Sequence, residues 1–344
     1  PMYGLNNWYE NGPIFYGDDN ARVIMASLLA RSVIDEDAWD ERILKCLLAN
    51  LRTSDKQGFR HNALREDSFT PKGRNWTYYL NDEETKTCSP HYQAYLWAAF
   101  LWAYSLTDYK DFLIKSEKAL RITMNAYPEK WYWTNSLTAE ISRMILPLAF
   151  LVKVDDTPEH RKWLDRMIRD LVKNMDECGA VQDMFGDLKM GKYPPPQSND
   201  TDLLYTTNWA FIGLHEAALV TGDKSYKEAE DRLAKFLCRI QVTSKIHNYL
   251  DGAWMRSFDF EKWEYWGSSA DIGWGAWCVE SGWVNSWIAC VLAMRQKGES
   301  IFNLAAKGKF KAIAPALIKE MFTERPLPKQ LKTGFISSMP GAEQ

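Results

Sequence analysis

The feature that most constrains this chain is an alternation between two kinds of helix-length segment. Residues 90–106 are apolar around most of a helical circumference, whereas the partner running on to residue 125 carries charges along one stripe. A helix apolar all round must be buried on every side, and one with a charged stripe faces water. The pairing recurs at 18–31 with 36–51, at 136–154 with a helix opening at Thr157 and Pro158, at 203–220 with 225–242, and at 279–295 with 299–322. The copies share a pattern without obvious identity. Five such pairs predict inner helices ringed by outer ones, an all-α toroid of helical hairpins, or α/α barrel. Local punctuation agrees: Asp35 or Asp37 and Asp108 are candidate N-caps, Pro158 suits a first helical position, and Gly222 ends a helix.

Connection lengths are asymmetric. Inner-to-outer links are short, at 32–35, 107–108, 155–157 and 222–224, whereas outer-to-inner links are long, at 53–89, 127–135, 176–202 and 243–278. In a ring of hairpins the long loops all fall at the N-terminal ends of the inner helices. They therefore gather on one rim, and long ordered loops in compact domains tend to carry function. The aromatic stretch 247–267 has the character of a short β-hairpin. The whole chain, 1–344, reads as one toroid domain with a lead-in at 1–16 and a tail at 323–344, and a neighbouring domain of a larger parent protein is allowed for.

Bulk properties narrow the class. A net charge of −3 is too small to mark a nucleic-acid or membrane surface, and no apolar run reaches the roughly 18 residues of a spanning helix. Six scattered cysteines with no Cys-x-x-Cys indicate neither a metal site nor a disulfide framework. No nucleophile elbow, zinc-protease, phosphate-loop or dinucleotide motif is present, and no cofactor is expected. The outlier is 16 Trp, 16 Tyr and 15 Phe, many of them in loops. Some of these rings fill a large core; others suit a cleft for sugars, whose apolar faces stack on flat rings.

The first turns of the inner helices meet at the rim. They carry Asp18 and Asp19, then His91 and Tyr92, then Asn135, then Asn208 and Trp209, then Glu280. Carboxylates, amides and an imidazole beside Trp and Tyr are what a polyol site needs. Each also has a bland reading: an acid in a first turn caps the helix, and His91, Asn208 and Trp209 suit packing. One of the two adjacent acids is expected to cap and the other to face the funnel. The densest run, 254–283, interleaves Arg256, Glu264, Asp271 and Glu280 with Trp266, Trp274 and Trp277.

Glycosidic cleavage commonly uses two carboxyl groups, one a proton donor and the other a base or nucleophile. A helix N-terminus stabilises the charged form, so Asp18, Asp19 and Glu280 suit the base; a carboxyl among Trp rings loses hydration, so Asp271 or Glu264 suits the donor. The catalytic candidates are thus Asp18, Asp19, Asp271 and Glu280. The substrate-binding candidates are His91, Tyr92, Asn208, Trp209, Arg256, Trp266, Trp274 and Trp277. Arginines in the pocket, among Arg22, Arg60 and Arg256, would indicate an acidic sugar.

The hairpin pattern, the run Tyr16-Gly17-Asp18-Asp19-Asn20-Ala21-Arg22 and the segment 272–283 resemble the six-hairpin glycosidase superfamily. That resemblance implies an (α/α)6 barrel, catalytic acids at inner-helix N-termini, and a glycoside hydrolase of bacterial polysaccharide degradation. The expected substrate is a plant-type or host oligosaccharide, with a uronic-acid sugar among the candidates. The expected setting is periplasmic, secreted or cell-surface. Five pairs fall one short of six. Three alternatives stay open: a sugar epimerase, for which His91, His215 and His247 are few and scattered; a polysaccharide lyase using His91, Tyr92 and Arg256; and a non-catalytic carbohydrate-binding domain.

Overall fold

The computed structural model describes residues 5–6, 14–34, 37–65, 76–81, 88–134, 136–183, 199–265, 279, 281–304 and 308–323. Strand β1 (Ile14–Tyr16) leads into α1 (Gly17–Arg31), whose hairpin partner is α2 (Asp37–Arg52). Strand β2 (Ala63–Arg65) and a short helix α3 (Trp76–Asn81) follow. Helix α4 (Pro90–Thr107) pairs with α5 (Lys110–Ala126), and α6 (Leu137–Val154) with α7 (Pro158–Val172). Strand β3 (Asp200–Asp202) and a π-helical turn (Leu203–Thr207) precede α8 (Asn208–Thr221), the partner of α9 (Lys224–Ile240). Strand β4 (Ser257–Asp259) and a second π-helical turn (Ser281–Asn285) precede α10 (Ser286–Lys297), and α11 (Ile301–Leu304) and α12 (Phe310–Met321) are the last described elements.

The two layers follow from burial. Every residue of α6 from Leu137 to Val152 is buried. The outer helix α9, the partner of α8, buries only Tyr226, Ala229, Glu230, Leu233, Ala234, Phe236, Leu237 and Ile240, which is one helical face. Around the ring α1 packs on α4, α4 on α6, α6 on α8, and α8 on α10. The core between them is aromatic, with Trp97, Trp102 and Trp209 wholly enclosed. Among the described residues no helix is long and apolar enough to cross a membrane.

Two outer helices end in the same hook, which the sequence reading did not resolve. After α2, Asp55 N donates to Phe59 O (2.7 Å) and Gly58 N to Asp55 O (3.1 Å). After α7, Asp176 N donates to Ala180 O (2.9 Å) and Gly179 N to Asp176 O (2.9 Å). Each glycine has positive φ, +87° and +97°, and lies against a carbonyl of the next outer helix. A Cβ at Gly58 would fall 2.1 Å from Lys115 O, and one at Gly179 2.3 Å from Arg232 O. The hooks therefore clamp adjacent hairpins where only glycine fits.

The expected fifth hairpin is not formed. The helix read at 299–322 is two pieces, and the chain after α10 crosses the C-terminal ends of the inner helices. Ser300 Oγ and Ile301 N donate to the buried carboxylate of Glu216, and Trp102 Nε1 donates to Phe302 O (3.0 Å). Helix α12 then lies against α2 and α4. Lys309 N donates to Asp40 Oδ2 (2.7 Å) at one end of α2, and Arg52 Nη1 to Met321 O (2.8 Å) at the other. Periodicity revealed an amphipathic helix but could not say which groove would bury its apolar face. Among the described residues there are four hairpins and a fifth inner helix, with a slot between α1 and α10.

Candidate functional site

The first turns of the inner helices converge through specific contacts. Strands β1 and β2 pair antiparallel, Tyr16 opposite Ala63, and Gly17 N donates to Asn62 O (3.0 Å), which fixes where α1 begins. A Cβ at Gly17 would lie 2.8 Å from Tyr92 O, so glycine is what lets α1 and α4 approach this closely. The approach sets His91 Nε2 3.8 Å from Asp18 Oδ2. Ser136 caps α6 by accepting from Ala139 N (3.0 Å), and its hydroxyl donates to Asp183 Oδ1 (2.5 Å). Glu140 in that first turn reaches back to accept from His91 N (2.5 Å) and Thr134 N (3.1 Å), satisfying a donor that the start of α4 would otherwise leave unpaired. Asn208 Nδ2 donates to Trp283 O (2.7 Å), which ties the start of α8 to the approach to α10.

At the centre stands a charged cluster. Arg22 donates to both acids of α1, Nη2 to Asp18 Oδ2 at 3.0 Å and Nη1 to Asp19 Oδ1 at 3.2 Å. Its guanidinium carbon sits 4.1 Å from the Trp283 ring centre. Arg143 lies fully buried one turn beyond Glu140, with Nη1 donating to His91 O (3.2 Å). It is surrounded by the rings of Trp209, Tyr205 and Tyr95 at 5.5, 5.7 and 5.9 Å. Among the described residues its Nε and Nη2 have no hydrogen-bond partner.

This setting shifts several protonation equilibria. Burial, reinforced by the neighbouring Asp18, pushes Asp19 up to about 6 against the opposing pull of Arg22 and Arg143. Burial pushes Glu140 up to about 7, opposed by Arg143 and its two backbone donors. Burial and the positive charges of Arg143 and Arg22 hold His91 well below the ordinary histidine value, so its imidazole is neutral near pH 7, and among the described residues its Nδ1 has no partner. One site thus holds a carboxyl raised toward neutrality and an imidazole kept in its neutral form.

The structure brings together Asp18, Asp19, His91 and Tyr92, as expected from sequence. It revises their roles. Neither acid caps α1: the N-cap position is Tyr16, and both carboxylates turn to Arg22. Asp19 was expected to favour its charged form at a helix N-terminus, but burial beside Asp18 outweighs that effect. Glu264, the alternative donor, is exposed on a turn whose backbone pairs with Asp259. Asn208, Trp209 and Arg256 are fully buried and brace the funnel wall. Trp209 packs between Tyr95 and Trp287 at 4.4 and 4.9 Å, and Arg256 sits 3.6 Å from Asp202 and 5.2 Å from the Tyr205 ring. Arg60 braces β1 by donating to Phe15 O (3.1 Å). His215 sits near the C-terminal end of α8 with Glu230 (2.8 Å), and His247 is exposed on an outer loop. Asp271, Glu280, Trp266, Trp274 and Trp277 lie outside the described residues.

Glu140 and Arg143 are the site residues that sequence reasoning missed. The signal was present: two opposite charges three positions apart in a helix whose only other charge, Lys153, lies in its last turn. Such charges must be paired or functional, because nothing else offsets their desolvation. A cavity of about 450 Å³ opens beside the cluster, between α1 and α10, with Asp19, Arg22, Trp283 and Trp287 in its walls. Among the described residues no group of His, Cys, Asp and Glu is arranged to hold a metal ion.

No protein-family model and no curated protein matches the chain by sequence. Solved structures do match by shape. The cellobiose 2-epimerase of Bacillus thermoamylovorans B4167 aligns with a TM-score of 0.56 at 12% identity, over 91% of this chain and 80% of that one. The unsaturated glucuronyl hydrolase of Bacillus sp. GL1, responsible for glycosaminoglycan degradation, gives 0.52 at 14% identity, over 81% and 74%. The GH76A α-1,6-mannanase of Salegentibacter sp. HEL1_6 gives 0.50 at 12% identity, over 72% and 67%. These neighbours are carbohydrate-active enzymes. At such identities the likeness establishes the fold: the chain has the α/α toroid of these enzymes.

Proposed function

We propose that the protein is an enzyme that hydrolyses a glycosidic bond, with Asp19 as proton donor and Asp18 as the partner carboxylate. The observation that supports this most is the paired acids on α1, both held by Arg22, with Asp19 pushed up to about 6. A carboxyl with that value is still partly protonated near neutrality. It gives its proton to the leaving oxygen as the bond to the anomeric carbon breaks. Water adds to that carbon, and its proton passes to Asp18. Glu140 is a positioning residue, because it touches the backbone at His91 and Thr134 and is wholly covered. The uronic-acid sugar expected from sequence draws support from Arg22 in the cavity wall. The glucuronyl hydrolase and the mannanase of the same fold agree with a hydrolytic reading.

The test is a panel of oligosaccharides, acidic and neutral, assayed for released monosaccharide. On the responsive substrate, Asp19→Asn should lower kcat by about 10²–10⁴-fold with an unchanged circular dichroism spectrum. Full activity in that variant refutes the assignment.

A second reading, a sugar epimerase, is favoured by one observation: the neutral imidazole of His91 stands 3.8 Å from Asp18 in the same cluster. It predicts uptake of deuterium from heavy water into an uncleaved sugar, lost in His91→Asn. Hydrolysis predicts new reducing ends and no carbon-bound deuterium.

A further inference from the structure

The cavity beside Asp19 has a composition that the glycosidase chemistry does not by itself require. Its α1 wall is Val23, Ala26 and Leu29, and the facing wall is Trp283, Trp287 and Cys290. Its polar side chains, Asn6, Asp19, Arg22 and Ser286, all belong to the rim end: Asn6 N donates to Asn20 Oδ1, and the other three stand in or just past the first turns of α1 and α10. Toward the C-terminal ends of those helices the slot is aliphatic, aromatic and thiol. Inner helix α6 buries every residue from Leu137 to Val152, yet α1 leaves Val23 45% exposed and Ala26 exposed to this slot. An exposed apolar stripe on an otherwise enclosed helix gains free energy when something apolar covers it.

We propose that this slot is the leaving-group subsite and that it takes an apolar alkyl or aryl aglycone. The inference rests on the reading of Asp19 as proton donor. The oxygen that Asp19 protonates belongs to the leaving group, so that group lies on the Asp19 side of the scissile bond, and Asp19 is itself part of the slot wall. A second sugar there would need partners for its hydroxyls, and the wall beyond Arg22 supplies Val23, Ala26, Leu29, Trp287 and Cys290. The volume of about 450 Å³ lies within the roughly 300–1,000 Å³ of small-molecule sites. The substrate class is therefore a glycoside whose sugar sits over the charged rim and whose aglycone is apolar.

The test uses 1-butanol, 1-hexanol and 1-octanol as probes, their hydroxyl standing in for the glycosidic oxygen, with binding read by tryptophan fluorescence and calorimetry. Affinity should rise about fourfold per methylene, so 1-octanol binds about 10²-fold more tightly than 1-butanol. Ala26→Glu places a charge in the slot from an already exposed position and should abolish that dependence. Val33→Glu, at a site 83% exposed on the turn after α1, should leave it intact. A flat alcohol series, or an unchanged dependence in Ala26→Glu, overturns the subsite. These measurements need no turnover. Chain-length-dependent binding in a protein whose Asp19→Asn variant keeps full activity removes the donor role and leaves the apolar site standing. Glycoside hydrolysis with a flat series does the reverse.

Discussion

Replacing Arg22 with Gln tests the electrostatic logic of the site without any knowledge of the substrate. In the wild-type protein the Arg22 Nη1 atom is 3.2 Å from Asp19 Oδ1, and Nη2 is 3.0 Å from Asp18 Oδ2. At an effective dielectric of about 20, one such unit-charge contact is a gross attraction of about 5 kcal/mol. The net effect on Asp19 is smaller, because Arg22 divides its charge between two carboxylates and Arg143 remains to oppose protonation. Loss of one opposite charge at this range shifts a carboxyl by about 1–3 pH units. Carbon-13 carboxyl spectra recorded against pH should therefore show Asp19 titrating near 6 in the wild type and about 1–3 pH units higher in Arg22→Gln. Asp18→Asn should move the same resonance down, since Asp18 is the second cause of the elevation. Arg22→Lys keeps the charge and should move it least. A wild-type midpoint near 4, or an Arg22→Gln midpoint that stays put or falls, would refute the picture of a buried acid restrained by its arginine.

Two further outcomes follow from other parts of the molecule. Glu140 is wholly buried and binds its proton up to about pH 7 in the folded chain, against 4.5 for a free side chain, so the folded state holds the extra proton in that window. Stability should fall as pH rises from about 4.5 to 7, and Glu140→Gln should flatten that dependence in denaturant titrations while costing about 1–3 kcal/mol at low pH through its poorer acceptance from His91 N and Thr134 N. In Gly58→Ala the new methyl meets Lys115 O at 2.1 Å on a backbone of φ +87°, and a loss of about 2–4 kcal/mol in a denaturant titration is expected, whereas Gly222→Ala has open space and should cost about 1 kcal/mol.

The inner and outer layers were legible because burial writes itself into periodicity. Helices α4, α6 and α8 are apolar around most of their circumference and α9 is striped, and a two-layer ring of hairpins satisfies both. Loop asymmetry located the rim for the same reason: connection length reports which ends of the helices are adjacent. Asp18, Asp19, His91 and Tyr92 were found by reading first turns, and the structure places them together. Glu140 and Arg143 are displayed by α6, but charge inside an apolar helix does not by itself say whether it meets a neighbouring helix start or the funnel. The shared hook at Gly58 and Gly179 was hidden because its constraint is a carbonyl of the next outer helix, far along the chain.

Sequence alone determined the four helical hairpins from α1 to α9, the layer to which each of their helices belongs, and the rim where the long connections gather. These depend on local propensity and on the ratio of apolar to charged surface, which short-range order in the chain expresses directly. Tertiary structure alone decided that α12 lies along α2 and not on α10, and that a slot stays open between α1 and α10. It alone decided that Asp19 is pushed up to about 6. The same carboxyl at an exposed helix N-terminus would favour its charge; enclosed beside Asp18, it pays a desolvation cost that the helix dipole and one shared arginine do not offset.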